Sequence, residues 1–200
     1  MKNILFLTSN PGKVAEAKTI LNKYGVSIII KPAKGIEIQS DSFSKIARVC
    51  AESAYKQIRR PLFVEDSGLF INALNGFPGT YSSTVYRQIG CPGILRLCTG
   101  LQNRAASAAR AVPARALKRA ARFMCAVAYA DKKGVKVFEG ECHGAISKKE
   151  IGLTGFGYDP IFIPEGYGKT FAQLPQVKAK LSHRVKALEA FGSWLENKRK

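Results

Sequence analysis

The sequence has no long hydrophobic run and no paired-cysteine motif. Its apolar stretches, such as residues 123–130, are far shorter than the roughly 20 residues that a membrane-spanning helix needs. The 5 cysteines are odd in number and form no CxxC pair, a pattern typical of reduced thiols rather than of a disulfide framework. The first residues run directly into a strand-like segment, so we expect no signal peptide. These absences predict a cytoplasmic protein without a membrane partner.

Acidic residues and histidines are also scarce. Lysine and arginine number 32 against 14 acidic residues and 2 histidines, which gives a net charge of +18. Such a charge favours polyanionic partners, either nucleic acid or nucleotide phosphates. The aromatic residues do not alternate with the basic ones as a surface for stacking bases would require. We therefore do not expect nucleic-acid binding as the main function.

Part of the positive charge is concentrated in one segment. Residues 100–122 carry 6 basic side chains and no acidic one, and an alanine- and arginine-rich tract occupies about 104–120. Pro113 interrupts this tract and argues against a continuous helix. We interpret the tract as a solvated insertion or loop, with a role in binding phosphates or a partner as the alternative.

Strand-like and helix-like segments alternate along the chain, which predicts an α/β protein. A length of 200 residues suits a single domain spanning 1–200. Asn10 is expected to cap the first helix, with Pro11 at its first position. Strands are predicted at 4–8, 26–30, 62–64 and 161–163, a hairpin at 122–138, and helices at 11–24, 43–58, before 98 and at 176–194.

The first polar cluster lies where the first strand passes into the first helix. Hydroxyl groups, backbone amides and a lysine at such a junction can hold phosphate oxygens. The spacing differs from the GxxxxGK[ST] pattern, and an ordinary capped helix would look similar. The residues are Thr8, Ser9, Asn10, Pro11, Gly12 and Lys13.

The second cluster contains two adjacent carboxylates, Glu65 and Asp66, followed by Ser67. Carboxylates at the end of a strand suit Mg²⁺, which prefers oxygen ligands. If the strand continues, the two side chains point to opposite faces and only one faces the site. Glu37 is a candidate second metal ligand, although the pattern alone favours an exposed strand residue.

The third cluster is divided between a glycine-rich turn and the region of the last helix. Glycines allow close approach, and aromatic rings offer faces to a base. The candidate residues are Phe156, Gly157, Tyr158 and Asp159 in the turn, then Lys178, His183 and Arg184.

Together these motifs resemble the inosine triphosphate pyrophosphatase family. The resemblance rests on four segments in matching order, and it covers nearly the whole chain except about 104–120. The segments are 8–13 (TSNPGK), 64–79 (VEDSG to ALNGFPG), 155–160 (GFGYDP) and 178–184 (Lys178 to SHR).

The resemblance implies an elongated, two-lobed α/β fold with a central mixed sheet flanked by helices and a nucleotide cleft between the lobes. It also implies a homodimer. The implied reaction is hydrolysis of noncanonical purine nucleoside triphosphates (ITP, dITP and XTP) to the monophosphate and pyrophosphate. Mg²⁺ is the expected metal, and Mn²⁺ could replace it.

The resemblance also suggests roles for the candidate residues. Asp66 would bind the metal and orient or deprotonate the attacking water, with Glu37 as a second metal ligand. The 8–13 loop would hold phosphate oxygens through its amides and Lys13, and Lys178 would add positive charge.

The base would be recognised by a separate group of residues. Phe156 and Tyr158 would frame the purine, and His183 and Arg184 would donate hydrogen bonds to a 6-keto oxygen. Adenine has an amino group at that position, so ATP would leave buried donors unpaired. GTP carries the same 6-keto oxygen and is not excluded in this way.

Two alternatives stay open from the residues alone. A nucleic-acid-binding module would explain the charge but would leave the Asp66 cluster without a role. A pyrophosphatase of the related Maf-like type would share the chemistry and prefer other bases.

Overall fold

The computed structural model describes residues 2–33, 35–106 and 119–198. The chain divides into two compact units. Unit 1 comprises Met1–Ser67, Met124–Glu141 and Leu181–Lys200, and unit 2 comprises Gly68–Phe123 and Cys142–Lys180. Most of the basic tract at 104–120 lies outside the described residues, and the assignment of 1–200 to one domain stays a prediction.

The elements alternate as predicted for an α/β protein. Six strands form one sheet in the order β2-β1-β3-β4-β5-β6. The strands are β1 (Lys2–Leu7), β2 (Val26–Lys31), β3 (Leu62–Ile71), β4 (Ala120–Asp131), β5 (Gly134–Ile146) and β6 (Phe162–Pro164). The helices are α1 (Pro11–Asn22), α2 (Phe43–Ile58), α3 (Ser82–Ala106), α4 (Pro175–Leu181) and α5 (His183–Asn197). Within the described residues, no helix is long and apolar enough to cross a membrane.

The start of α1 follows the local sequence. The side-chain oxygen of Asn10 accepts hydrogen bonds from the backbone N–H groups of Gly12 (2.9 Å) and Lys13 (3.2 Å). Pro11 occupies the first turn, where its missing N–H group has no cost. Both predictions for this helix start are confirmed, and α2 has the predicted bounds.

The position of β1 creates the edge at which the first two polar clusters meet. β1 runs parallel to β2 on one side and to β3 on the other. Because Phe6 pairs with Phe63, the loop after β1 lies beside the residues that follow Phe63 in β3. Strand order reverses here, and ligands of open α/β sheets bind at such reversals, beyond the carboxyl ends of the strands.

The predicted strand at 62–64 is too short, because β3 continues to Ile71. Glu65 and Asp66 therefore lie inside a strand and point to opposite faces of the sheet. Glu65 shares its face with Phe63, whose ring lies 5.3 Å from that of Phe191 in α5. The face of Glu65 is thus the one that α5 covers.

The single helix predicted at 176–194 is also wrong, because two helices occupy this region. Ser182 separates α4 from α5 with an extended backbone (φ −64°, ψ 153°), and its hydroxyl accepts a hydrogen bond from the N–H of Val185. A serine that caps a helix in this way begins a new helix. The break places His183 and Arg184 in the first turn of α5.

Each unit has its own apolar core. In unit 1 the core lies between the sheet and helices α1 and α5, and it includes stacked rings of Phe6 and Phe63 at 4.2 Å. In unit 2 it forms around Phe123, Phe162 and Phe171. No disulfide joins the buried cysteines, all five of which belong to the described residues.

Gly140 allows the first turn of α5 to approach β5. A Cβ atom at this position would collide with the carbonyl oxygen of His183 and lie 2.7 Å from the backbone nitrogen of Ala187. Backbone atoms of a helix cannot move aside as a flexible side chain can. The glycine therefore helps to place His183 and Arg184.

We expect Gly140→Ala to lower the free energy of unfolding by about 1–3 kcal/mol, because it overpacks the contact between β5 and α5. The corresponding loss of Tm is roughly 2–10 °C for a chain of this size, measurable by calorimetry. Gly168→Ala is the matched control, since this residue lies outside the helices and strands and a Cβ atom there meets nothing within 4 Å. An unchanged Tm for Gly140→Ala would contradict the close approach.

Candidate active site

The loop after β1 uses most of its amides within the loop itself. The amides of Gly12 and Lys13 donate to Asn10, and the amide of Asn10 donates to the hydroxyl of Thr8 (3.1 Å). Pro11 has no N–H group. The structure therefore does not favour these amides as phosphate donors. The hydroxyl of Ser9 and the ammonium of Lys13 are more suitable donors for phosphate oxygens.

Lys13 connects this loop to β3. Its ammonium donates to the backbone oxygen of Glu65 at 3.0 Å and lies 2.9 Å from Oε2 of the Glu65 carboxylate. The Glu65 side chain has no solvent exposure, whereas that of Lys13 is 18% exposed. The lysine side chain thus extends from the loop to a buried carboxylate, and part of it stays exposed.

Arg184 reaches the same carboxylate from α5. Its Nε atom lies 3.4 Å from Oε1 of Glu65, and its two terminal nitrogens donate to Glu16 (2.7 Å) and to the Ser67 hydroxyl (2.9 Å). Burial by itself would raise the pKa of Glu65, but the charges of Arg184 and Lys13 hold that pKa well below its usual range. Glu65 is therefore ionised and paired.

Asp66 has the opposite electrostatic character, although it is the next residue. It is half-buried, and burial raises its pKa to about 6. The positive charge of Lys13 acts against this shift, while the negative charges of Glu65 and Glu37 add to it. An ionised Asp66 is therefore an undercompensated charge, beside which a cation is stabilised.

Two carboxylates, those of Asp66 and Glu37, bear on the predicted magnesium site. The negative charge of Glu37 contributes to the raised pKa of Asp66. Glu37 is an exposed residue of the irregular segment before α2. Within the described part of the chain, no cluster of three or more His, Cys, Asp or Glu side chains is arranged to hold a metal. Mg²⁺ commonly takes only one or two protein carboxylates and completes its shell with water and phosphate oxygens.

In unit 2, Asp159 organises the glycine-rich turn. Its Oδ2 atom accepts hydrogen bonds from the N–H of Phe156 (2.8 Å) and from the ammonium of Lys178 (2.6 Å). The same ammonium lies 4.2 Å from the centre of the Phe156 ring. Gly155 has a positive φ of 81°, and a side chain there would collide with the Asp159 carboxylate. The turn therefore needs glycine before Phe156.

Three of the predicted base-binding residues are buried, namely Tyr158, His183 and Arg184. Tyr158 is 4% exposed, and its hydroxyl donates to the carbonyl of Ser82 at 3.1 Å. This placement makes it part of the core of unit 2 and does not favour a ring face open to a base. His183, also 4% exposed, lies in the first turn of α5. Half-buried Phe156 is the more accessible aromatic residue of the turn.

Sequence reasoning missed three residues of unit 1. Glu65 was recognised only as a neighbour of Asp66, while Glu16 and Cys125 were not considered. The Cys125 thiol donates to Oε1 of Glu65 at 3.1 Å. The one available signal for Glu65 was the alternation of side chains along β3, which places Glu65 on the opposite face from Asp66. For Glu16 and Cys125 the sequence offered none, because their partners are far away along the chain.

These features define a class of protein. A strand–loop–helix junction with hydroxyls and a lysine lies beside a desolvated aspartate, at a reversal of strand order in an α/β sheet. Such an arrangement is typical of α/β enzymes that act on phosphate-containing ligands.

Comparison with known proteins identifies the family. The sequence profile of the Ham1 family matches residues 4–194. The chain is 46% identical over 200 residues to the dITP/XTP pyrophosphatase of Methanopyrus kandleri, covering 97% of this chain and 96% of that protein. It is 40% identical over 194 residues to the dITP/XTP pyrophosphatase of Thermococcus kodakarensis, with coverage of 96% and 97%. The chain belongs to the Ham1 family.

Solved structures agree with this assignment. The HAM1 protein from Coxiella burnetii superposes with a TM-score of 0.81 at 29% identity, covering 98% of this chain and 100% of that one. The Ham1 protein from Staphylococcus aureus gives 0.75 at 30% identity, with the same coverage. The predicted α/β class with a mixed sheet flanked by helices is confirmed. The elongated outline and the cleft stay predictions.

We expect Asp66→Asn to raise the free energy of unfolding at pH 8 in EDTA, by on the order of 1–2 kcal/mol. The pKa of Asp66 is raised from 3.8 to about 6, so the folded state binds its proton more tightly than the unfolded state does. Ionisation therefore destabilises the fold progressively between these two values, and the asparagine variant avoids this cost.

Urea unfolding at about pH 4 and pH 8 measures the difference. The gain should be small at the lower pH, where Asp66 is protonated in the folded protein. Asp41→Asn, at an exposed position, is the control and should change stability by less than about 0.5 kcal/mol at either pH. Equal stability of wild type and Asp66→Asn at pH 8 would show that Asp66 is not desolvated.

Proposed function

We propose that this chain hydrolyses noncanonical purine nucleoside triphosphates (ITP, dITP and XTP) to the monophosphate and pyrophosphate. The names of its relatives in the Ham1 family support this proposal. The observation that carries it is the placement of desolvated Asp66 beside the loop of Lys13. A basic group for phosphate and a carboxylate for water are the two parts that such a hydrolysis requires.

Lys13 supplies positive charge toward the phosphates. The ammonium donates one hydrogen bond to the backbone oxygen of Glu65 and forms an ion pair with Oε2 at 2.9 Å. An ammonium group has three N–H donors, so it can also donate to a phosphate oxygen. Thr8, Ser9 and the side chain of Asn10 would add polar contacts from the same loop.

Mg²⁺ would be held by Asp66 and Glu37, and Mn²⁺ has the same ligand preference. When bound, the metal neutralises negative charge on the phosphates. The resemblance to metal-dependent pyrophosphatases and the undercompensated charge of Asp66 support this assignment.

Asp66 would receive the proton of the attacking water. Its Oδ1 atom accepts the N–H of Ser67 at 2.9 Å, which leaves Oδ2 to accept a hydrogen bond from water. A pKa of about 6 lies close to neutrality, where a general base is ionised and still takes up a proton readily. Water then attacks the α-phosphorus, and pyrophosphate leaves.

Base selectivity would come from donors that face the 6-keto oxygen. Arg184 would present its guanidinium from the first turn of α5, where the group also pairs with Glu16 and Ser67. His183 would assist from the same turn of α5. In unit 2, Phe156 would offer its ring to a base. Lys178, which pairs with Asp159, would contribute positive charge and hold the Phe156 ring through a cation–π contact.

A homodimer and a cytoplasmic location stay predictions for this chain. They derive from the resemblance and from the cysteine content. The purine nucleotide is the only small-molecule partner that the proposal requires.

Pyrophosphate release from ITP, XTP, dITP, GTP, ATP and CTP tests the proposal directly, with and without EDTA. We expect fast release from ITP, dITP and XTP, slower release from ATP and CTP, and loss of turnover in EDTA. Asp66→Asn should lose turnover by at least about 1,000-fold while staying folded, because it removes the base.

Three outcomes of this assay would contradict the proposal. If Asp66→Asn keeps its turnover, Asp66 is not the base. If turnover continues in EDTA, the reaction does not require a divalent metal. Faster release from pyrimidine nucleotides than from ITP would favour the Maf-like alternative.

Arg184→Ala should reduce the ratio of kcat/KM for ITP to that for ATP by roughly tenfold or more, because it removes donors that only the 6-keto oxygen can satisfy. The ratio does not depend on the folded fraction, which matters because the variant also disturbs a buried ion-pair network. An unchanged ratio would show that Arg184 has only a structural role.

A further inference from the structure

We propose that Glu65 is a positioning residue, which fixes the ammonium of Lys13 in the place from which it contacts a phosphate chain. The inference rests on the proposed function, since it specifies how the phosphate-binding lysine is held. Glu65 would act through Lys13 and would not itself touch the substrate, because its side chain has no solvent exposure.

Glu65 holds Lys13 at two points. The backbone oxygen accepts a hydrogen bond from the ammonium at 3.0 Å, and Oε2 of the side chain lies 2.9 Å away. A hydrogen bond and an ion pair together restrict a flexible lysine far more than either contact does alone. They limit the positions that the ammonium can occupy beside β3.

The Glu65 carboxylate is itself fixed by two other groups. Oε1 accepts the thiol of Cys125 at 3.1 Å and lies 3.4 Å from Nε of Arg184. The two oxygens therefore serve different partners, and the carboxylate cannot rotate toward one without losing the other. In this way β4 and α5 anchor the group that orients Lys13.

Stability alone is a weak explanation for a charged group at this position. Burial of ion pairs costs desolvation free energy, and apolar residues of similar volume are often as stable or more so. A fully buried glutamate between two cations therefore suggests a need for defined geometry. Its place in β3, directly before Asp66, connects the orientation of Lys13 to that of the proposed base.

A double-mutant cycle with Glu65→Gln and Lys13→Met tests the inference. The probe is inorganic tripolyphosphate, which carries the phosphate chain without a base, and its binding is measured by calorimetry. We expect Glu65→Gln to weaken binding about tenfold in the wild-type background, within the usual range of coupling between contacting residues. In the Lys13→Met background the same substitution should have almost no effect.

Two results would overturn the inference. Equal weakening in both backgrounds would mean that Glu65 affects binding without Lys13. Unchanged or tighter binding in Glu65→Gln would mean that Glu65 competes with phosphate for the lysine instead of positioning it.

The matched control is Glu189→Gln, which removes a half-exposed carboxylate 3.7 Å from the ammonium of Lys23. It should leave tripolyphosphate affinity unchanged. If Glu65→Gln does not fold, the cycle is made with Glu65→Asp, which keeps the charge but shortens the side chain. The same non-additivity with Lys13→Met is then required.

Turnover of ITP by the same proteins separates the two proposals. Coupled tripolyphosphate binding in a protein without turnover would overturn the proposed function and leave the positioning role. A wild type that hydrolyses ITP but binds no tripolyphosphate would overturn the positioning role alone.

Discussion

The organisation of the site in unit 1 depends on one buried negative charge, the carboxylate of Glu65. A carboxylate without solvent exposure is stable only if cations compensate it, and Lys13 and Arg184 do so from opposite ends of the chain. Glu16 in turn pairs with Arg184. Two positive and two negative side chains thus form a neutral group, and the loop after β1, β3 and α5 are fixed relative to one another through it.

The neutrality of this group explains the different character of Asp66. Glu65 and Asp66 are adjacent in a strand and therefore face opposite ways. The charges of Arg184 and Lys13 together outweigh burial at Glu65, whereas at Asp66 the charge of Lys13 does not outweigh it. The pKa of Glu65 is held low, while burial raises that of Asp66 to about 6. The Glu65 carboxylate is thus held ionised by its partners, whereas the Asp66 carboxylate keeps an affinity for a cation or a proton.

Unit 2 shows the same principle in a smaller form. Asp159 compensates buried Lys178 and also fixes the backbone at Phe156, so that one carboxylate orients both a cation and a ring.

Only part of the fold could be predicted from local sequence signals. The cap at Asn10, the proline at the first turn and the bounds of α2 were predictable, because each depends on a few neighbouring residues.

The sequence by itself determined the family, the alternation of strands and helices and most of the polar residues of the candidate site. Tertiary structure alone decided that β3 continues past Asp66, that Ser182 divides the last helix, and that Arg184 meets Glu16 and Glu65. Caps and periodicity are encoded within a few residues, whereas an ion pair such as Glu16–Arg184 joins positions 168 residues apart. Such pairs exist only once the sheet and its helices have brought distant segments together.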